Sequence, residues 1–238
     1  MSDTTVAVTV DCTCASQSKC FVSSIVSAAE QEAIPLTWLI GVQEHDPLTN
    51  ASLYHREYLH RIPAWHELGL YLTFDATAGS TVERGDLIRL GKDVLKQYSI
   101  KPTAFRAAQG DLQAGDVKAL EDVGILVDAT PGSSSNPPEG APRSPYHPAY
   151  DHVHEPGPSK LWVVPVAGLD EVRGYVDVGL DKLKPIIDSS RQTQSVLCLG
   201  MTDCADNGAH LRNVADYLKK RGARFVTLTQ LVTELAAA

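Results

Sequence analysis

Five cysteines carry the widest chemistry in this 238-residue chain: Cys12, Cys14 and Cys20 near its start, Cys198 and Cys204 near its end. The first three follow one apolar run and the last two flank the end of another. A parallel sheet would therefore bring Cys12, Cys14 and Cys204 to one rim, where thiols serve as nucleophiles or as ligands for soft metals. The spacing C-x-C-x5-C matches no zinc signature, and free cysteine also packs as a small hydrophobe. A second group, His147, His152 and His154 with Asp151 and Glu155, lies between Pro131 and Pro158. These residues read either as metal ligands or as exposed polar residues of a loop. Tyr146, Tyr150 and Trp162 offer faces on which sugar rings stack, and Trp162 also reads as core, as do Trp38 and Trp65.

The elements that must position these groups alternate in type. Thr5 to Asp11 is a run of β-branched and small residues ending on a carboxylate, the pattern of a buried strand that delivers its last side chain to a sheet edge. Cys20 to Ala33 has helical spacing, with Phe21, Ile25, Val26 and Ala29 on one face. Further strands are expected at Pro35–Ile40, His66–Leu72, Thr103–Ala107, Ile125–Asp128, Leu161–Val166, Ser195–Leu199 and Phe225–Leu228. Helices are expected at Ala51–Ile62, Thr81–Tyr98, Ala114–Gly124, Leu180–Ser190, His210–Arg221 and Gln230–Ala237, with Gly222 as a left-handed cap. This alternation implies one domain spanning 1–238 with a largely parallel sheet, open or closed into a barrel. The stretch from Pro131 to Pro158, dense in Pro, Gly and Ser, reads as a long functional loop.

Composition removes several functions. With 21 basic against 29 acidic residues the formal charge is -8, and no Lys/Arg run is longer than three residues, which argues against nucleic acid or an anionic membrane as partner. No apolar run approaches the about 20 residues of a membrane-spanning helix. The first residues have an acid at position 3 and no basic n-region, so a cytoplasmic protein is expected. Its odd number of cysteines then predicts reduced thiols rather than disulfides.

Three stretches together resemble the polysaccharide deacetylases of the NodB-homology (carbohydrate esterase) family. Thr9-Val10-Asp11-Cys12 resembles its Thr-Phe-Asp-Asp strand end. His66-Glu67-Leu68-Gly69-Leu70-Tyr71 through Asp75 resembles Glu-Ile-Gly-x-His-x-x-x-His. Phe105-Arg106-Ala107-Ala108-Gln109-Gly110 resembles Phe-Arg-Pro-Pro-Tyr-Gly, and the tail from Leu211 to Leu231 is similar to the family's ending. The resemblance covers nearly the whole chain in order and implies an irregular α/β barrel, (β/α) with mostly parallel strands.

It also implies roles. The family's catalytic base corresponds to Asp11 and its arginine partner to Arg106, a buried ion pair at the barrel mouth. The family's divalent-metal ligands fall on Cys12, Tyr71 and Asp75, so no zinc is expected there, with an atypical metal site as the alternative. The late histidine that acts as general acid falls in Leu197–Thr202, where no titratable residue stands in its place. The expected function is thus a divergent deacetylase-like protein that binds a carbohydrate or small polar ligand at the barrel mouth, with Tyr71, Tyr146 and Tyr150 as ligand contacts under the long loop. The alternative is an active hydrolase of a non-peptide C–N bond, with Asp11 as base and an atypical metal or the Cys12 thiol.

Overall fold

Eight parallel strands pair side by side in one curled sheet, in a computed structural model that describes residues 4–14, 20–42, 58–74, 81–108, 112–131, 142–169, 172–193 and 195–238. The strands are β1 (Thr5–Cys12), β2 (Thr37–Gly41), β3 (Glu67–Thr73), β4 (Ala104–Ala108), β5 (Val127–Asp128), β6 (Trp162–Val163), β9 (Val196–Thr202) and β10 (Arg224–Val226). A separate antiparallel hairpin, β7 (Gly168–Leu169) and β8 (Val172–Arg173), precedes β9. The helices are α1 (Val22–Gln31), α2 (Thr81–Gln97), α3 (Ala114–Asp122), α4 (Leu180–Thr193), α5 (Gly208–Lys219) and α6 (Leu228–Ala237). Strand β1 lies at the centre: β9 runs along one side of it, while β10 pairs with its first half and β2 with its second half.

Burial of both sheet faces explains why the strands read as unbroken apolar runs rather than as alternating ones. Val6, Val8, Val10 and Cys12 of β1 point into the core shared with helices α1 to α5. Ala7 of β1, Leu39, Ala104, Val127, Val196 and Cys198 point into a second core on the concave face, closed below by Leu228, Leu231 and Val232 of α6. At that lower end Glu67 accepts hydrogen bonds from the hydroxyls of Thr37, Thr103 and Thr229, tying three strands' starts to the closing helix. Gly222 takes φ 78° after α5, the left-handed cap its position predicts.

Most element expectations hold, with shifted ends. The strand expected over Leu161–Val166 is only Trp162–Val163, because Val166 has turned away to bridge Cys198 of β9. Of the helix expected over 51–62, residues 51–57 lie outside the described set. Trp38 is core as expected, but Trp65 is 43% exposed and stacks on His66 at the surface, a correction to its core reading. Burial lowers the His66 imidazole to about 4, and its Nδ1 accepts from the backbone N–H of Leu36. Among the described residues no helix is long and apolar enough to cross a membrane.

Candidate functional site at the barrel mouth

Register decides which side chains meet. Residues paired across parallel strands point to the same face, and Tyr71 of β3 pairs with Arg106 of β4. On the same concave face, Asp11 at the end of β1 receives Arg106: Nη1 donates to Asp11 Oδ1 at 2.5 Å. Arg106 Nε donates to the Ala129 carbonyl at 2.7 Å, while Nη2, also buried, has no hydrogen-bond partner among the described residues. Arg106 is 1% and Asp11 6% exposed, so the pair expected from the sequence is present and nearly enclosed. Burial works against the guanidinium's charge, but Asp11, with Tyr175 and Cys198, together outweighs it, and Arg106 titrates above an ordinary arginine.

The second oxygen of Asp11 is also engaged. Tyr175 donates its hydroxyl to Oδ2 at 3.0 Å, and burial pushes that phenol well above its ordinary range. Tyr175 sits between the β7–β8 hairpin and a short 3-10 turn, Val176–Val178, bridged to Gly200 of β9. A Cβ on Gly200 would lie 2.8 Å from the Tyr175 ring, so glycine is what lets the ring cross the strand toward Asp11. Two residues on, Asp177 accepts from the backbone N–H and hydroxyl of Thr202 and from the Asn207 amide; burial raises its carboxyl, with a further contribution from Asp11. Neither Tyr175 nor Asp177 is identified by the sequence reading, which assigns nothing to 167–179. The signal available was the glycine spacing Gly168, Gly174, Gly179, which marks a tightly turned segment. The position expected to lack an acid thus has carboxyl groups beside it, from Asp177 and from Asp203 just beyond β9.

Several expected contacts go elsewhere. The Tyr146 hydroxyl donates to the Val153 carbonyl and is pushed up to about 12, mainly by burial. The Tyr150 hydroxyl donates to the Glu121 carboxylate on α3. The described part of the loop, 142–158, therefore packs along β6 and α3, where Tyr146 bridges Val163, instead of presenting both tyrosines over Asp11. His147 bonds the Leu161 carbonyl and packs on Trp162, and among the described residues the histidines form no ligand group.

The residues at the family's metal positions do not fit a zinc ion. Cys12 points into the helix-facing core, fully buried, one residue out of phase with Asp11 and thus on the opposite face from Tyr71. Burial first, then the neighbouring carboxylates, raises its thiol well above the ordinary range, which also removes it as a nucleophile for the mouth. Asp75 lies outside the described residues. Untagged protein purified without reductant is accordingly expected to carry less than about one tenth of an equivalent of zinc by elemental analysis. A stoichiometric ion lost in Cys12→Ser would contradict this reading.

One cysteine expectation is corrected: Cys14 and Cys204 form a disulfide, with Cα atoms 5.3 Å apart. Their meeting at one rim follows from the parallel pairing of β1 and β9, whereas the all-reduced reading rested on the expected compartment. Cysteine usage therefore no longer supports a cytoplasmic location. Cys12, Cys20 and Cys198 take part in no disulfide.

No family model matches the chain, and no curated protein matches it in sequence. Solved structures are similar to it in fold. A protein from Mycobacterium smegmatis assigned as a polysaccharide deacetylase shares 15% identity at a TM-score of 0.73, over 100% of this chain and 92% of its own. The family 4 carbohydrate esterase from Streptomyces lividans, in complex with acetate, shares 14% at 0.56, over 96% and 94%. A family 4 pseudoenzyme from Bacillus anthracis shares 11% at 0.61, over 96% of this chain and 65% of its own. The parallel, curled sheet described above is thus the NodB-type (β/α) barrel.

Proposed function

We propose that this NodB-type barrel is a divergent deacetylase-like protein that binds a carbohydrate or small polar ligand at the barrel mouth without the family's metal-dependent hydrolysis. The observation that carries the reading is Arg106 Nη2, a buried guanidinium N–H with no partner among the described residues, beside Asp11 and Tyr175 and in register with half-buried Tyr71. An unpaired buried donor costs about 1–3 kcal/mol, which an acceptor on a ligand, such as an acetamido carbonyl, would recover. Asp11, with one oxygen held by Arg106 and the other by Tyr175, serves as a fixed acceptor and orienting group, and a base would need a free lone pair directed at water. That solved relatives of this fold include a family 4 pseudoenzyme is consistent with loss of hydrolysis on the retained barrel.

A second reading, hydrolysis of a C–N bond in a sugar or related amide, draws on Asp177. Its carboxyl is raised by burial and feels the Asp11 charge, the environment in which a carboxylic acid can protonate a leaving amine. The binding test is a titration of N-acetylglucosamine and its short oligomers followed by chemical shifts. Arg106→Lys, which keeps the charge and loses the fork, and Tyr71→Phe should each raise Kd about 5- to 100-fold. His154→Ala should leave it unchanged. Affinity that survives both mouth substitutions places the ligand elsewhere.

A further inference from the structure

The Cys14–Cys204 pair has an asymmetry unlike that of a buried structural bridge. Cys14 is 2% exposed, whereas Cys204 is exposed, so one sulfur is open to attack and the other is enclosed. Between them lies Asp203, wholly buried, whose Oδ1 accepts from the backbone N–H groups of Thr13 and Cys14 at 3.1 and 3.2 Å. Its Oδ2 accepts from the Tyr58 hydroxyl at 2.5 Å. Ligand atoms of Cys14, Asp203 and Cys204 all lie within 4.8 Å of one another, and Cys204 Sγ is 3.6 Å from Asp203 Oδ1. Hydrogen bonds from the Thr13 and Cys14 backbone to Asp203 tie the two loops together independently of the disulfide, so the sulfurs can part with the loops still held.

We infer that Cys14 and Cys204 form a thiol–disulfide exchange centre, in which an external dithiol attacks Cys204 and Cys14 is the departing sulfur. A thiolate of the dithiol attacks the accessible Cys204 Sγ, and a new S–S bond forms as the Cys14–Cys204 bond breaks. The electron pair goes to Cys14 Sγ, which takes up through solvent the proton released when the attacking thiol ionised. The second thiol of the reductant then displaces Cys204, leaving two protein thiols and the oxidised, cyclised reductant, a balanced two-electron exchange. The roles follow from exposure: attack at the exposed Cys204 makes the sulfur of the enclosed Cys14 the leaving group. The centre also adjoins the mouth, because the Asp203 N–H donates to the Asp11 carbonyl at 3.3 Å, so its redox state bears on how the ends of β1 and β9 are held.

The test uses the full chain purified without reductant and dithiothreitol as probe, with maleimide labelling and peptide mapping under native conditions. The expected result is loss of the Cys14–Cys204 bond within minutes at millimolar dithiothreitol, without loss of the native circular-dichroism spectrum, and full re-formation on removal. Tm should fall by roughly 10 °C on reduction and recover on reoxidation, and Cys204→Ser should be insensitive to reductant. Asp203→Ala should lower the Tm of the reduced protein more than that of the oxidised protein, because the hydrogen bonds to Asp203 then hold the two loops together without the disulfide. Resistance of the bond to dithiothreitol until the protein unfolds would overturn the inference, as would equal losses of Tm from Asp203→Ala in the reduced and oxidised protein. So would native protein with free thiols at both positions holding a stoichiometric divalent ion that Cys204→Ser loses.

Discussion

Arg106→Ala is expected to lower the unfolding free energy by about 3–5 kcal/mol, because it strands the Asp11 carboxylate in a site from which water is nearly excluded. The guanidinium holds Asp11 through Nη1 and the β5 end through the Ala129 carbonyl, so its removal leaves two buried acceptors short of a donor. Asp11→Asn combined with Arg106→Met removes the charges together and should cost less than Arg106→Ala alone, a non-additivity characteristic of a direct pair. Denaturant midpoints for the single and double variants check it. Additive losses would mean that the two side chains do not act as partners.

The second large effect is one of pH. Asp128, fully buried at the end of β5, has its carboxyl pushed up to about 7 by burial, opposed by hydrogen bonds from Thr130 and by Arg106, and assisted by Asp116. A folded-state value above the unfolded value of about 4 means that the native chain holds a proton the unfolded chain releases. The stability from this proton is fully present below about pH 4 and is lost as pH rises through about 7. Asp128→Asn imitates the protonated group and titrates in neither state. Its stability relative to the wild type should therefore rise by about 2–4 kcal/mol between pH 5 and pH 8.5, measured as a difference of midpoints at the two values. A constant offset would show that Asp128 titrates normally. Because Thr130 links Asp128 to the backbone N–H of Ala107, next to Arg106, wild-type ligand affinity belongs in the same pH series.

What the sequence disclosed of this molecule follows from what each signal measures. Apolar runs report burial on both faces, so the parallel strands were legible, and motif spacing carried Asp11 and Arg106 to their meeting across β1 and β4. Phase was the harder matter. Cys12 follows Asp11 directly, and only the period-two alternation of a strand, applied strictly, places its thiol on the opposite face from the mouth. Tyr175 and Asp177 escaped because they sit on a turn with no periodicity, brought to Asp11 by tertiary bridging to β9. Tyr146 and Tyr150 misled for the reverse reason: aromatic residues on an irregular loop suggest an exposed binding face, yet one phenol is tied within the loop and the other to Glu121. The disulfide depended on a redox compartment that residue types alone do not fix.

Whether the mouth binds an acetamido-bearing or similarly polar ligand and leaves it intact is decided by proton NMR. An N-acetylated chito-oligosaccharide is titrated with untagged, unreduced protein while the acetamido methyl and free acetate resonances are followed together. The account predicts a saturable shift or broadening of the acetamido methyl signal, lost in Arg106→Lys, with no acetate appearing above the protein-free control. Acetate accumulating beyond one equivalent of protein, at a rate that Asp177→Asn abolishes, would contradict it and establish the hydrolase reading in its place.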